Sequence, residues 1–521
     1  MVEHILAKDE TGVRFSLPAQ NNSGLPRTLK SMKIKLETPA AVSQITKTLT
    51  NQGFSAYIVG GSVRDLLLNR PPKDWDVTTN AKPEEIVSLF PKTFYENRFG
   101  TVTVVQEDVS DETLRNIEIT PFRKEGKYSD FRHPDEVTFA DSVNDDLARR
   151  DFTINALAYS PETDEFIDLF GGAQDLKEQA VRAVGDAQER CEEDPLRILR
   201  GIRLAAELGF MINPETQQAM CHVKHLLKHI SLERIRDEFT KIIMSNDPMR
   251  GLLMAQNIGI LPYFLPELEE GLNMKQNGDH VYDVLEHTLR VLQHSADKNW
   301  PLHVRLAALL HDIGKPRTRA WNKEKGDYTF YGHEVVGARM AKTIMERLKF
   351  SRETTDQVVK LVRNHMFFSD IDKITLSAVR RIIRNVGPGL VWDLMKVRAC
   401  DRIGMGRPKE NPYRLRKYEA MIEEALRQPT SVGMLKIDGK GIMDVIHETP
   451  GPRIGWILHA LLEEVLDRPE LNTLEYMEKR AKELAKLGDQ ELKALGEQGR
   501  DKKEEKEGQE LAKIRKRHNV R

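Results

Sequence analysis

Residues 57–79 read YIVGGSVRDLLLNRPPKDWDVTT, with Asp74 and Asp76 on either side of one tryptophan, a short basic segment after the pair Gly60 and Gly61. In a strand, residues i and i+2 point to the same side, so these two carboxylates would share a face. Like charges held that close repel unless a cation sits between them. Hard divalent ions such as Mg²⁺ take oxygen ligands and keep positions open for water and substrate phosphate. A two-metal phosphoryl or nucleotidyl transfer needs that arrangement. Two aspartates at this spacing are, by themselves, more often a solvated strand edge or turn. The glycines shift the balance, because they lie between an apolar strand-like run and a helix start, where backbone N–H groups approach a phosphate closely. Arg64, one turn into that helix, reaches toward a triphosphate; its plainer reading is a solvated arginine paired with Asp65.

A second set of residues lies further on. HVYDVLEHTLRVLQHS and LAALLHDIGKPRTR place His287 on one helix and the adjacent His311 and Asp312 on another, and His333, His365 and Asp401 follow on further helical segments. One buried histidine is usually a satisfied core residue. Five positions in the order H, HD, H, H, D make that reading a poor one. Imidazole nitrogen with carboxylate oxygen suits a divalent transition metal, and the pattern does not choose among Mn, Fe, Ni, Co and Zn. Such an ion lowers the pKa of a bound water for attack on phosphorus.

The elements that must position these groups follow from periodicity. The order around the glycines is strand, Gly-Gly, helix, strand, since Val and Thr in DWDVTT favour a pleated surface. KPEEIVSLF predicts a helix and GTVTVVQ a strand; in NIEITPFR, Ile117, Ile119 and Pro121 share one face while Glu118 and Thr120 share the other. Beyond about residue 185 strand signals almost vanish, and DPLRILRGIRLAAELGF carries apolar residues at helical spacing. The expected organisation is multidomain α+β. Residues 1–35 form a mobile extension, 36–185 a mixed α/β head, 186–272 a helical neck, 273–415 a histidine-rich helical domain, 416–483 a helical region and 484–521 a charged, disordered tail or solvated helix.

The bulk properties bound the possibilities. A chain of 521 residues is too long for one core. The formal net charge of −1 argues against a uniformly basic coat but allows local basic stripes, for which RRDF, RILRGIR and LERIRDEFTK are candidates. No apolar run approaches the roughly 18 residues a bilayer span needs, and the start MVEHILAKDETGVRF lacks the order of a signal peptide. A cytoplasmic protein with no membrane partner is expected. Cys191, Cys221 and Cys400 are scattered, without the spacing of a disulfide framework or zinc site.

GGSVRD followed by DWD resembles the class II branch of the nucleotidyltransferases, the bacterial tRNA nucleotidyltransferases (CCA-adding enzymes) and poly(A) polymerases. The resemblance implies a nucleotidyltransferase head with a mixed sheet, an all-α neck and body, Mg²⁺ at Asp74 and Asp76, and tRNA, CTP and ATP as partners. Glu118 would be a third acidic residue, as metal ligand or base. RRDFTINALAY matches the segment that contacts the nucleotide sugar and phosphates, giving Arg150, Asp151 and Asn155. EDPLR matches the EDxxR motif, in which Asp194 and Arg197 read the base edges of CTP or ATP as a protein template; on the bland view they are an i,i+3 ion pair. Arg200 and Arg203 would hold phosphate, ERIRDEFTKII would be structural, FIDLFGGAQDL would join and flex head against neck, and 122–137 would be the flexible loop of the terminal A step. ENRFGTVTVV is of the CCA type rather than the arginine-rich poly(A) type, so CCA addition is favoured over poly(A) synthesis, with a poly(A) polymerase or A-adding enzyme as the alternative. LLHDIGK resembles the HD phosphohydrolases in their HDIG form, implying His287, His311, Asp312 and Asp401 as ligands of one metal and His333 and His365 as further ligands of a dinuclear site. An RNA-end cleaning activity follows, with a regulatory nucleotide-binding role of the HD domain as its rival; for the whole chain the alternative is a phosphohydrolase or RNA-binding regulator whose polymerase head is inactive.

Overall fold

The structure, a computed structural model, describes residues 31–96, 100–126, 131, 137–276, 281–366, 375–426 and 432–520. By compactness the chain divides into Met1–Val362 with Gly404–Gly406, and Arg363–Ile403 with Arg407–Arg521. The expected 273–415 domain therefore falls into both units.

The first unit opens with a head built on a mixed sheet. Its strands are β1 (Met32–Lys33), β2 (Ala56–Val59), β3 (Trp75–Thr79), β4 (Thr93–Glu96), β5 (Thr101–Val105), β6 (Asn116–Pro121), β7 (Arg123–Glu125), β8 (Val137–Phe139), β9 (Leu157–Ser160) and β10 (Glu165–Asp168). Eight of these form one sheet in the order β1-β10-β9-β2-β3-β6-β5-β4, while β7 and β8 pair as a separate ribbon. All neighbours in the large sheet are antiparallel except β3 and β6, which run parallel in the register Asp76 to Glu118. Alternation works as expected on β6, where Ile117 and Ile119 are fully buried and Glu118 is exposed. Strand β1 lies inside the expected N-terminal extension. Met32 and Lys33 pair with Phe166 and Glu165, and so tie the segment to the sheet; residues 1–30 lie outside the described residues.

The neck helices Leu196–Leu208, Leu232–Met244 and Pro248–Ile258 pack through small residues. A Cβ on Gly201 would stand 2.6 Å from Met220 Cε and 2.9 Å from Phe152 Cζ, so only glycine lets the first neck helix lie this close to the head. The glycine stretch 170–172 is a packed turn rather than a flexing linker. Both carboxylate oxygens of Asp168 accept backbone N–H groups, from Gly172 and Ala173 at 2.9 Å, and a Cβ on Gly172 would meet Thr153 O at 2.1 Å.

Still in the first unit, helices Val284–Asp297 and Leu302–Leu310, the short helix Lys315–Thr318, a β hairpin and helix His333–Arg347 carry most of the histidine set. The second unit is helical among its described residues. Its tail is helix Asp489–Arg517 instead of disorder. Leu492 is buried in a cluster with Ile457, Leu461 and Met477, and a Cβ on Gly496 would lie 2.9 Å from Trp456 Cα; sparse apolar anchors of this kind hold an otherwise charged helix on helix Pro452–Asp467.

Candidate active sites

The first site forms where β2 ends and β3 begins. Asp74 is exposed just ahead of β3, and Asp76, partly buried, lies on β3 between Val59 of β2 and Glu118 of β6. Burial, opposed by Arg150 and reinforced by Asp74 and Glu118, pushes the Asp76 carboxyl up to about 6. Asp74 and Glu118 add to the cost of ionising Asp76, and three carboxylates with oxygen donors fit a hard divalent cation, whose charge would remove that cost.

Gly60 makes the floor of this site. Its φ is 76°, and a Cβ there would lie 3.0 Å from Arg150 Nη1 and 3.5 Å from Asp76 Oδ2. Arg150 follows helix Val143–Ala148 and pairs with Asp146 Oδ2 at 3.1 Å. Burial raises the Asp146 carboxyl, but Arg150 and Arg149 outweigh it and hold it below the usual range. Gly61 starts helix Gly61–Leu67; Arg64 on that helix chelates Asp65 at 2.9 and 3.0 Å, as in its plainer reading, and also donates to Asn155 Oδ1 at 2.8 Å.

From Asn155 a chain of polar contacts runs into the neck. Asn155 Nδ2 donates to Asp151 Oδ1 at 3.3 Å, and Asp151 Oδ2 pairs with Arg200 at 2.8 Å. Burial works against the ionised Asp151, yet Arg200 and Arg197 keep its carboxyl below the ordinary value. Asp151 and Arg200 are thus committed to each other. Arg203 is likewise paired, with Glu238 at 3.0 Å.

Asp194 and Arg197 are both buried, and each has a close partner other than its i,i+3 neighbour. Asp194 Oδ2 accepts from Arg234 at 2.8 Å, and Arg197 Nη1 donates to Glu193 at 2.6 Å and to the Arg190 carbonyl at 2.7 Å. Arg234 and Glu193 are residues that sequence reasoning missed. Arg234 sits in LERIRDEFTK, where the basic stripe was its only signal.

The second site centres on Asp312. Its Oδ2 lies 3.2 Å from His287 Nε2, 3.1 Å from His311 Nε2 and 2.6 Å from Lys315 Nζ, and its Oδ1 is 3.3 Å from His333 Nε2. His287 Nε2 and His311 Nε2 are 3.2 Å apart. Atoms that each sit about 2.1 Å from one ion are separated by about this much. His311 Nδ1 faces the Ala308 carbonyl at 2.8 Å and His333 Nδ1 the Phe330 carbonyl at 2.7 Å. A carbonyl can only accept, so both rings carry a proton on Nδ1, and it is Nε2 of each, directed at Asp312, that would give its lone pair to a metal. Burial disfavours the charged Asp312, but His311 and Lys315 hold its carboxyl well below the usual range. Gly314 permits the turn: a Cβ there would lie 2.4 Å from His333 O and 2.6 Å from Gly337 N. His365 and Asp401 belong to the second unit, where both are buried and Asp401 pairs with Arg398 at 2.5 Å.

Comparison with known proteins bears on both sites. The chain is 33% identical over 426 residues to a CCA-adding enzyme of Enterococcus faecalis, an alignment spanning 81% of this chain and 90% of that one. This chain belongs to the class II tRNA nucleotidyltransferase and poly(A) polymerase family. Three domain families match it in order: the poly A polymerase head domain at residues 56–182, the probable RNA and SrmB-binding site of polymerase A at 209–272, and the HD domain at 284–409. It is 44% identical over 225 residues to a CCA-adding enzyme of Anoxybacillus flavithermus, covering 43% of this chain and only 55% of that relative. Among solved structures, the Bacillus stearothermophilus CCA-adding enzyme in complex with CTP matches with a TM-score of 0.58 at 26% identity, over 86% of this chain and 98% of that one. The head match spans Gly60, Asp76, Glu118, Arg150 and Asp151, and the HD match spans the whole histidine set. No helix among the described residues is long and apolar enough to cross a membrane.

Proposed function

We propose that this chain adds or repairs the 3′-terminal CCA of tRNA from CTP and ATP, in the cytoplasm, and that its HD domain removes phosphate from RNA ends. The observation that carries the first part is the meeting of Asp76, Glu118 and Arg150 above Gly60. Asp74, Asp76 and Glu118 would hold Mg²⁺, which supplies neutralisation of phosphate charge and a more acidic attacking hydroxyl when bound. The tRNA 3′-oxygen bonds to the α-phosphorus of CTP or ATP as the bond to pyrophosphate breaks. Gly60 leaves open space beside the carboxylates, and Arg150, steadied by Asp146, presents a guanidinium to the triphosphate. Asp194 and Arg197, with Arg234 and Glu193 fixing their positions, offer an acceptor and donors to a base edge. Asn155, Asp151 and Arg200 link that template to Arg64 near the glycine turn, with Arg203 bracing the neck.

The experiment is extension of tRNA lacking CCA, with Mg²⁺ and CTP, ATP or both, sized on a sequencing gel. Two additions with CTP alone and a third only with both support the reading. One ATP addition on a tRNA ending in CC, with no CTP use, makes it an A-adding enzyme; ATP ladders make it a poly(A) polymerase.

For the HD domain, His287, His311, Asp312 and His333 would hold a transition metal. Water oxygen joins phosphorus, the ester P–O bond breaks, and a 3′-hydroxyl is left for the head to extend. p-Nitrophenyl phosphate, assayed with Mn²⁺, Ni²⁺, Co²⁺ and Zn²⁺ in turn, tests this. Nucleotide binding without turnover under every metal would favour a regulator.

A further inference from the structure

Both chain segments that leave Asp312 through Lys315 and His333 lead into one hairpin, in which Ala320–Asn322 pairs antiparallel with Asp327–Thr329. Its sequence, with the flanks, is KPRTRAWNKEKGDYTFYGH; residues 315–333 carry five lysines and arginines against Glu324 and Asp327. Two large rings on it face water: Trp321 is 56% exposed and Tyr331 70% exposed. Trp321 meets its cross-strand partner Tyr328 edge to face, with centroids 5.0 Å apart. The Arg319 guanidinium covers the Tyr328 ring at 3.6 Å. Lys325 Nζ donates to the Tyr331 hydroxyl at 2.9 Å and lies 5.5 Å from that ring's centroid.

The plain account of such a cluster is that it staples a short hairpin. That account covers Tyr328, packed between Trp321 and Arg319, and leaves unexplained why Trp321 and Tyr331 remain more than half in water. Exposed rings interleaved with cations are the surface on which single-stranded nucleic acid binds: bases stack on the rings and phosphates lie against the side-chain charges. A duplex would hide its base faces from these rings; Lys315 and Arg317 are paired with Asp312 and Glu270, so Arg319, Lys323 and Lys325 carry the positive charge that selects a polyanion over an apolar peptide. We propose that this hairpin is a stacking platform for the unpaired 3′ end of an RNA substrate of the HD site. Trp321 takes a base, while Arg319, Lys323 and Lys325 face the backbone phosphates. Lys315 and His333, at the two ends of the segment, put the platform beside Asp312. The inference rests on the phosphohydrolase reading of the HD domain.

The test uses the full chain and a six-nucleotide single-stranded RNA bearing a 3′-phosphate and one 4-thiouridine. Ultraviolet crosslinking in EDTA, mapped by mass spectrometry, should place the thiouridine on the peptide spanning 319–331, and Trp321→Ala should lose that crosslink while Trp321→Phe keeps it. Stacking of one base is worth roughly 5- to 150-fold in affinity, so kcat/KM for release of the 3′-phosphate should fall by about tenfold or more in Trp321→Ala, mainly through KM. Lys323→Glu with Lys325→Glu should act alike. Hydrolysis of p-nitrophenyl phosphate, a phosphomonoester with no base to stack, should be unchanged in every variant. Crosslinks confined to other segments, or RNA turnover unaffected by both substitutions, overturn the platform. If the wild-type chain hydrolyses neither substrate under any metal, the phosphohydrolase reading fails, and the crosslink alone then decides whether the hairpin binds RNA.

Discussion

The position that a Cβ would occupy on Gly60 is 3.0 Å from Nη1 of Arg150. Glycine is required here twice over, by that approach and by a φ of 76°. Gly60→Ala should therefore cost about 1–3 kcal/mol from backbone strain and push Arg150 from the carboxylates. The expected outcome is a folded chain, by circular dichroism, whose melting temperature drops by a few degrees and whose kcat/KM for CTP falls by about tenfold or more. Wild-type nucleotide kinetics would show that Arg150 has no part in binding the triphosphate.

Asp76 should be a residue that the fold tolerates at a cost. Its folded-state carboxyl titrates near 6 against an ordinary value of 3.8. Between those values the unfolded chain has lost the proton that the folded chain still holds. Stability therefore falls as pH rises through that window and levels off above it. The full rise is worth at most about 3 kcal/mol. Asp76→Asn should raise the melting temperature of metal-free protein at pH 7.5, lose that advantage below about pH 4, and abolish nucleotide transfer. Thermal melts in EDTA across pH, beside the extension assay, check both halves; a variant less stable at pH 7.5 would contradict the crowding of Asp76 by Asp74 and Glu118.

The contrast between these residues and their neck partners shows what a sequence can carry. Asp74 and Asp76 are two apart, so strand alternation predicts one face for both, although β3 begins only at Trp75 and Asp74 stands just ahead of it; the same alternation separates Glu118 from Ile117 and Ile119. What alternation cannot give is the parallel register of β3 with β6, which sets Glu118 opposite Asp76 across two other strands. The pairing of Asp194 with Arg234 is equally remote in the chain and depends on how two neck helices cross. Charge composition also misleads at the C-terminal end. Leu492 is one of very few apolar residues in helix Asp489–Arg517, too sparse to produce a period, yet its burial helps anchor the helix.

Arg234 should act on base choice through Asp194. Removing its guanidinium frees a buried carboxylate, 2.8 Å from it in the native fold, to turn or to take a proton. Arg234→Ala is expected to raise KM for CTP and ATP and to increase UTP misincorporation by roughly tenfold, the loss of one charge-assisted hydrogen bond being about 1.5–3 kcal/mol. Arg234→Lys should recover part of the fidelity. A merely structural role would lower the melting temperature without changing the ratio of CTP to UTP use.

Gly314 provides the separation of the two activities. Any side chain there collides with the backbone of helix His333–Arg347, at His333 O and Gly337 N, and backbone cannot swing aside as a rotamer does. Gly314→Ala must move that helix away from the turn carrying His311 and Asp312, at a cost of about 1–3 kcal/mol by analogy with overpacked cores. His333 would then leave Asp312, now 3.3 Å away, and its carbonyl-fixed ring would no longer aim at the shared site. The variant is expected to lose phosphomonoester hydrolysis and to bind about tenfold less transition metal at limiting concentration, measured by equilibrium dialysis. CCA addition to tRNA should continue near the wild-type rate, because Gly60, Asp76 and Arg150 belong to a separate sheet. Loss of both activities together would mean that the HD turn supports the head, and that the two sites cannot be treated as independent.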